Sequence, residues 1–402
     1  MAEGPEAVRD LMTAPRFATL ALHSGAPIPR DPLADEAAAT VTADGMASLA
    51  HSTDPIAAEL EDRVAALEGG SAAVALSSGL GCLAALLSGL LRPGEEIVAA
   101  RSLSSGPLAK IAGGVGGNVW SMLWADVDDP GSFARLISPR TQALLVESVA
   151  AEDGRVADLT ALAEVARRAE VPLIVDNGAA TPALCRPFAF GADAVIYLSM
   201  ARIGGGQGGM LVDGGSFDWA RSGRYPLLGD PAQQFGGVNL SAAAGNFELA
   251  AALRLLSRGG VGAPLAPGEA RQALLCLETL DLRMRRQSAS ALQVARFLAG
   301  HAAVAAARYS GLEGDRHHNL ALRYCPEGAG HVVTFVAKAG AEGAGRVLER
   351  LRLFRAEGGD GNVSQALLAR ETRAAPAGWM RLAVGLEDPA DLIEDLDWAL
   401  ET

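Results

Sequence analysis

Three short stretches place hydroxyl, acidic or basic side chains where an apolar run gives way to a turn. "SSGLG", Ser77 to Gly81, follows "AAVAL" and sets two hydroxyls and a glycine at the start of a helical run. Free N–H groups at a helix start cradle a phosphate or another anion, and the same residues also make an ordinary cap. "IVDNGAATP" ends a wholly apolar strand on Asp176. A carboxylate there is costly unless it meets a cation or a hydrogen-bond donor. "DAVIYLSMARIGGGQGG", Asp193 to Gly209, carries Ser199 and Arg202 beyond its strand. A guanidinium stays protonated, so Arg202 can fix an anion or a carboxylate but is a poor base and nucleophile.

Elements of a recognisable kind must hold these residues. Short apolar runs ("AAVAL", "EEIVAAR", "QALLVES", "VPLIVDN", "DAVIYL", "GGMLVD") alternate with helical stretches such as "GLGCLAALLSGLL" and "LTALAEVARRAE". Strands without polar alternation, separated by helices, predict a mostly parallel sheet covered on both faces, with the site beyond the strands' carboxyl ends. A helix is predicted from Asp54 as N-cap and Pro55 at its first position to a stop marked by Gly69 and Gly70. "SRGGVGAPLAPGEARQ" reads as a Gly/Pro hinge, followed by a long helical stretch over 267–300. Strand-like runs then lie near "HVVTFVAK" and "WMRLAVGLE", with helices at "AGRVLERLRLF" and "PADLIEDLDWAL". The resulting division is an N-terminal arm (1–45), a large α/β domain (46–258) and an α+β C-terminal domain (259–402). A phosphate on the first loop, a cationic ring nitrogen on Asp176 and a reactive group near residue 202 would together describe a pyridoxal phosphate (PLP) site.

Composition narrows the classes. A formal charge of -13, from 34 basic and 47 acidic residues, argues against a nucleic-acid partner. No apolar run is long enough to span a bilayer, and the opening residues lack the apolar core of a secretory signal, so the chain is expected to be cytoplasmic with no membrane partner. Cys82, Cys185, Cys276 and Cys325 are scattered without a CxxC pair, and the six histidines form no ligand pattern, so no metal site is expected. Cys82 and Cys276 read as core, and His317 and His318 as a solvated loop. Only two lysines occur, Lys110 and Lys338, an imbalance that codon bias explains wherever charge alone matters.

From about residue 17 to residue 400 the chain resembles the Cys/Met metabolism family of PLP enzymes, which includes cystathionine γ-synthase, cystathionine lyases, methionine γ-lyase and O-acetylhomoserine sulfhydrylase. "FATLALHSGAP", "LEDRVAALEGGSAAVALSSGL", "LLVESVAAEDGRVADL", "LIVDNGAATPALCRPFAFGADAVIYLS", "LETLDLRMRRQSASALQVARFL", "YSGLEGDRHHNLALRY" and "MRLAVGLEDPADLIEDLDWAL" carry it, in order. The resemblance implies fold type I, the aspartate aminotransferase-like architecture, and a homodimer or homotetramer whose sites are completed across an interface. It assigns Ser77, Gly79 and Leu80, with Ser78 beside them, to the phosphate loop, Asp176 to the pyridinium nitrogen, Ser199 to the phosphate and Arg381 to the substrate α-carboxylate.

The chain departs from the family's pattern at the defining position. Ser-x-Thr-Lys, whose lysine carries PLP as a Schiff base, reads Ser199-Met200-Ala201-Arg202 here. The ring-stacking tyrosine falls on Ser104, the partner-subunit Tyr-Ser-Arg on Leu49-Ala50-His51, an asparagine on Ala151, and the Ser-Leu-Gly-Gly stretch on Ala356-Glu357-Gly358-Gly359. The expectation from these changes is a degenerate homologue, unable to hold PLP covalently and silent in its chemistry. It would serve as a partner or regulatory subunit, for instance in a heteromer with an active paralogue, or keep a repurposed anion site in which Arg202 pairs with Asp176 or holds an anion. One alternative is an enzyme of altered chemistry that binds PLP or its amine form without a covalent bond, or another anionic, amino-acid-like ligand. The other is ordinary family activity at Cγ of an O-acyl-homoserine or cystathionine-like substrate.

Overall fold

Asp54 begins the helix Pro55–Glu68 as predicted: its carboxylate accepts from the N–H groups of Ile56 and Ala57 at 3.0 and 2.9 Å. Gly69, at φ 87°, ends it in the left-handed conformation that glycine tolerates without strain. The computed structural model describes residues 16–24, 51–112, 120–204, 206, 208–219, 223–225, 228, 247–356, 361–368 and 378–401. Most of the predicted arm and Leu49, Ala50, Glu357, Gly358 and Gly359 lie outside them.

Seven strands form the larger sheet, in the order β1-β7-β6-β5-β4-β2-β3. They are β1 (Ala72–Leu76), β2 (Glu96–Ala100), β3 (Ser121–Ala125), β4 (Thr141–Glu147), β5 (Leu173–Asp176), β6 (Ala194–Tyr197) and β7 (Gly209–Asp213). Pairing is parallel from β3 through β2, β4 and β5 to β6, and β7 runs antiparallel to both β6 and β1. Every residue of β1, β2, β4, β6 and β7 is buried, which is why these strands read as apolar runs, with polar residues only at the ends of β2, β4 and β7. The edge strand β3 escapes that reading because most of its side chains keep partial exposure.

A second, antiparallel sheet has the order β10-β11-β9-β8, from β8 (Val304–Arg308), β9 (Val332–Ala337), β10 (Gln365–Leu368) and β11 (Trp379–Ala383). Sequence alone suggests β9 and β11; "VAAAR" in β8 is alanine-rich and carries no strand signal of its own. The predicted helical stretch over 267–300 is two helices, Pro267–Leu277 and Leu280–Gly300, interrupted at Glu278 and Thr279. Cys82 is fully buried, whereas Cys276 is only partly so.

His317 corrects the expectation of a solvated loop. It is buried, its Nδ1 lies 3.1 Å from the Val156 carbonyl, and its Nε2 lies 3.0 Å from Asp128. Asp128, beyond β3, also meets Arg316 at 2.5 Å and Arg155 at 3.4 Å, so it ties the edge of the large sheet to the segment that leads into the helix His318–Tyr324. Burial alone would raise its carboxyl, but the His317 hydrogen bond and the arginine charges outweigh it and hold the group at about 2. A depressed carboxyl stabilises the fold above its unfolded value of 3.8 and loses that contribution as pH falls towards 2. Asp128→Asn is therefore expected to cost about 1–2 kcal/mol at neutral pH, and the variant should show less of the acid-induced loss of stability between pH 4 and 2, measured by urea unfolding at stepped pH.

Candidate functional site

The carboxyl ends of β4, β5 and β6 face the start of β9 and one side of β10 and β11 across a cavity of about 510 Å³. Glu147 and Asp176 are register partners at the ends of β4 and β5, and both line it. Leu198, Ser199, Ala201 and Arg202 line it from the turn after β6. His331, Gly361, Gln365 and Arg381 close it from the opposite side. Four residues proposed from sequence, Asp176, Ser199, Arg202 and Arg381, thus share one cavity.

Asp176 Oδ1 accepts from the Gly178 N–H at 2.9 Å, and the Leu198 N–H also serves the carboxylate. Burial nevertheless pushes its carboxyl up to about 6, against an ordinary 3.8. An ionised Asp176 is thus short of positive charge, and a cationic ring N–H would supply it. Among the described residues Asp176 makes no ion pair with Arg202, whose charge is not among the groups acting on its carboxyl, and this corrects the reading of Arg202 as its partner. Arg202 Nη1 instead donates to Gln287 Oε1 at 2.5 Å and to the Gly361 carbonyl at 2.6 Å. Gly361 is built for this contact. It sits at φ +84°, and a Cβ there would come within 3.2 Å of the Ala201 carbonyl and of Arg202 Cδ. Arg283 fixes the same turn by donating to the Arg202 carbonyl at 3.0 Å.

Arg381, on β11, donates from Nε to the Ala151 carbonyl at 2.6 Å. Burial draws its guanidinium below the ordinary value even though Glu152 and Glu147 act the other way. Glu147 accepts from the Ala151 N–H at 2.9 Å; burial and the Asp176 charge lift its carboxyl to about 8, so it carries a proton at neutral pH.

Ser78, Gly79 and Leu80 are not among the residues that line this cavity. Ser78 caps the helix Gly79–Leu90, accepting from the Gly81 N–H at 3.0 Å, and Leu80 is exposed. The loop still abuts the site: a Cβ on Gly79 would lie 1.8 Å from the Leu198 carbonyl, next to Ser199. Ser199 is exposed, and its Oγ accepts weakly from the Ala201 N–H at 3.3 Å. Ser102 and Leu103, neighbours of Ser104, line the cavity beside Glu147.

Sequence reasoning passed over His331 and Glu147. Glu147 ends an apolar strand just as Asp176 does, and that signal was available. His331 stands alone before β9, 155 residues beyond Asp176, and nothing local marks it.

Comparison with known proteins agrees with this geometry. The family described as Cys/Met metabolism PLP-dependent enzyme matches residues 36–401. An O-acetyl-L-homoserine sulfhydrylase of Leptospira meyeri is 33% identical over 374 residues, covering 87% of this chain and 84% of its own. A homocysteine synthase of Schizosaccharomyces pombe is 34% identical over 366 residues, covering 87% and 85%. The crystal structure of a putative O-acetylhomoserine (thiol)-lyase from Campylobacter jejuni, which carries N'-pyridoxyl-lysine-5'-monophosphate, superposes with a TM-score of 0.83 at 26% identity, covering 96% of this chain and 99% of that one. The fold is therefore the expected fold type I α/β architecture, with a mostly parallel sheet flanked by helices. The expectation of a degenerate, silent homologue is overturned, because these relatives bear the names of working sulfhydrylases and synthases over most of the chain. Activity at Cγ, set out above as an alternative, is the better supported reading.

Proposed function

Since the chain belongs to the Cys/Met metabolism family of PLP-dependent enzymes, we propose that it acts at Cγ of an O-acyl-homoserine-like amino acid, with PLP held without a covalent bond to the protein. The observation that carries this reading is the meeting of Asp176, Ser199, Arg202 and Arg381 in one cavity. The residues fit the cofactor's ring and phosphate: Asp176 is a carboxylate in need of a cation, and the Ser199 turn abuts the capped helix of Ser78 and Gly79. They do not fit a covalent link at residue 202, because a guanidinium has no free amine. Lys110 and Lys338 are both exposed and do not line the cavity.

When bound, PLP supplies a carbonyl for the substrate's amino group and a conjugated ring that spreads the electrons left on carbon. Arg381 holds the substrate's carboxylate, and its own bond to the Ala151 carbonyl fixes the direction from which that group is held. Asp176 would hold the cofactor's ring nitrogen and favour its protonated form. Arg202, tied to Gln287 and Gly361, would contribute a fixed positive charge to the cavity and take no part in proton transfer. We place the reaction in the cytoplasm, in a homo-oligomer, on a small anionic amino acid.

Fluorescence titration of the protein with PLP is expected to saturate, and O-acetyl-L-homoserine with sulfide should yield a new thiol only when PLP is present. Asp176→Asn should weaken PLP binding about 10- to 100-fold, as the loss of a charged hydrogen bond worth about 1.5–3 kcal/mol requires. PLP-independent turnover, or unchanged PLP affinity in the variant, would remove the basis of this reading.

A further inference from the structure

His331 is 4% exposed, and its Nδ1 is buried with no hydrogen-bond partner among the described residues. A buried polar atom left unpaired costs about 1–3 kcal/mol, so an orphan that borders a cavity marks a place where a ligand atom is wanted. The backbone gives the ring little freedom: the His331 carbonyl accepts from the Val384 N–H at 2.8 Å, and β9 begins at the next residue, paired with β11. The ring therefore stands on the same wall as Arg381.

Among the described residues, the charged groups that line the cavity come from both of its walls. Arg202 follows β6 and Arg381 lies on β11; Glu147 and Asp176 end β4 and β5, and Glu152 follows β4. Burial first, and then the charges of Arg202 and Arg381, hold the imidazole well below its ordinary 6.5, so it is neutral at pH 7.

We infer that His331 is a binding residue for the ligand's carboxylate, sharing the anion with Arg381 and taking up a proton as it binds. The inference rests on the amino-acid reading above and adds a residue and a pH dependence to it. A carboxylate placed on Arg381 offsets one of the positive charges that disfavour the imidazolium and supplies an acceptor for its N–H. The proton comes from solvent and forms one N–H bond on the ring. Binding and protonation then favour each other, and carboxylate affinity rises as pH falls through the bound-state value of His331. Glu147 and Asp176 also gain protons on the way down, so the histidine's share must be isolated by substitution.

The test uses L-homoserine, which has the carboxylate and amine but no leaving group, and protein labelled with 13C at histidine Cε1. Six ring signals are expected, and the one missing in His331→Gln is assigned. In the free protein that signal should titrate below its ordinary range; saturating L-homoserine should raise its midpoint by about one pH unit or more. Calorimetry in two buffers of different ionisation enthalpy should show net proton uptake that shrinks in His331→Gln, with affinity at pH 6 reduced about tenfold and less at pH 8. His331→Asn supplies the same assignment where His331→Gln folds poorly, and the titration of the unsubstituted protein then decides the matter. L-homoserine binding that leaves the ring signal unmoved overturns the inference and leaves the Cγ reading intact. Absence of L-homoserine binding also overturns it, and turnover of O-acetyl-L-homoserine then judges the reading separately. A moved signal without turnover supports the carboxylate site and counts against the reading.

Discussion

Arg202→Lys is expected to convert a protein that borohydride leaves unmodified into one that gains a single pyridoxyl phosphate per chain. The turn after β6 is held by contacts that do not depend on the guanidinium: the Met200 N–H donates to the Gly208 carbonyl at 3.0 Å, and Arg283 holds the Arg202 carbonyl. A lysine introduced there would point into the cavity beside Asp176 and Ser199 with an amine able to condense with a carbonyl. The substitution has a cost. Gln287 is fully buried, and its Oε1 loses the Arg202 donor, so stability should fall by about 1–3 kcal/mol. Intact-mass measurement after borohydride treatment with PLP reads the adduct, and urea unfolding reads the cost. An adduct on the unsubstituted chain would show that Lys110 or Lys338 reaches the cofactor, and would defeat the proposal that PLP is held without a covalent bond.

Arg254→Met should produce the largest stability loss of any single change considered, about 3–5 kcal/mol. Arg254 and Glu61 are both almost wholly buried, and their side chains meet at 2.9 Å. Glu61 also accepts from the Ala75 N–H at 2.9 Å and the Ser52 N–H at 3.0 Å, and Arg254 donates to the Ala73 carbonyl at 3.0 Å. The pair therefore joins the helix Pro55–Glu68, strand β1 and the helix Glu248–Arg258 at one point. Burial already strains the carboxylate, whose pKa stands above its ordinary value despite the arginine. Without Arg254 the charge is left in an apolar interior, and the group must take up a proton or open the packing. The double variant Glu61→Gln with Arg254→Met should lose less than the sum of the two single changes, since the second removes the charge orphaned by the first. Urea midpoints for the four proteins measure the coupling; strict additivity would mean the pair does not act as a unit.

Much of this architecture was legible in the chain because burial on both faces of a parallel strand leaves an unmistakable apolar run. Asp176, Ser199 and Arg202 could be placed because they stand directly after such runs, and the cavity does form at those strand ends. β3, β8 and β10 gave no comparable signal: β3 is a half-exposed edge, and the other two are short segments whose pairing comes from neighbours distant in sequence. The same distance hid His331 and Gly361, which reach the site only through the pairing of the second sheet and the packing of the Leu280–Gly300 helix. Arg202 and Asp176 both follow strands that neighbour each other in the sheet, which invites pairing the two charges, whereas Arg202 donates to an amide and a carbonyl contributed from 85 and 159 residues away.

The contact between Gly79 and the Leu198 carbonyl has a consequence for how such a protein can change over generations. With no clearance for even a methyl group, the two loops are locked by main chain alone, and the lock is indifferent to which side chains stand at positions 201 and 202. Inheritance of the pocket's shape is thereby uncoupled from inheritance of its chemistry. A lineage can exchange the residue above this floor while the floor keeps its form, and the range of reactions open to its descendants is correspondingly wide.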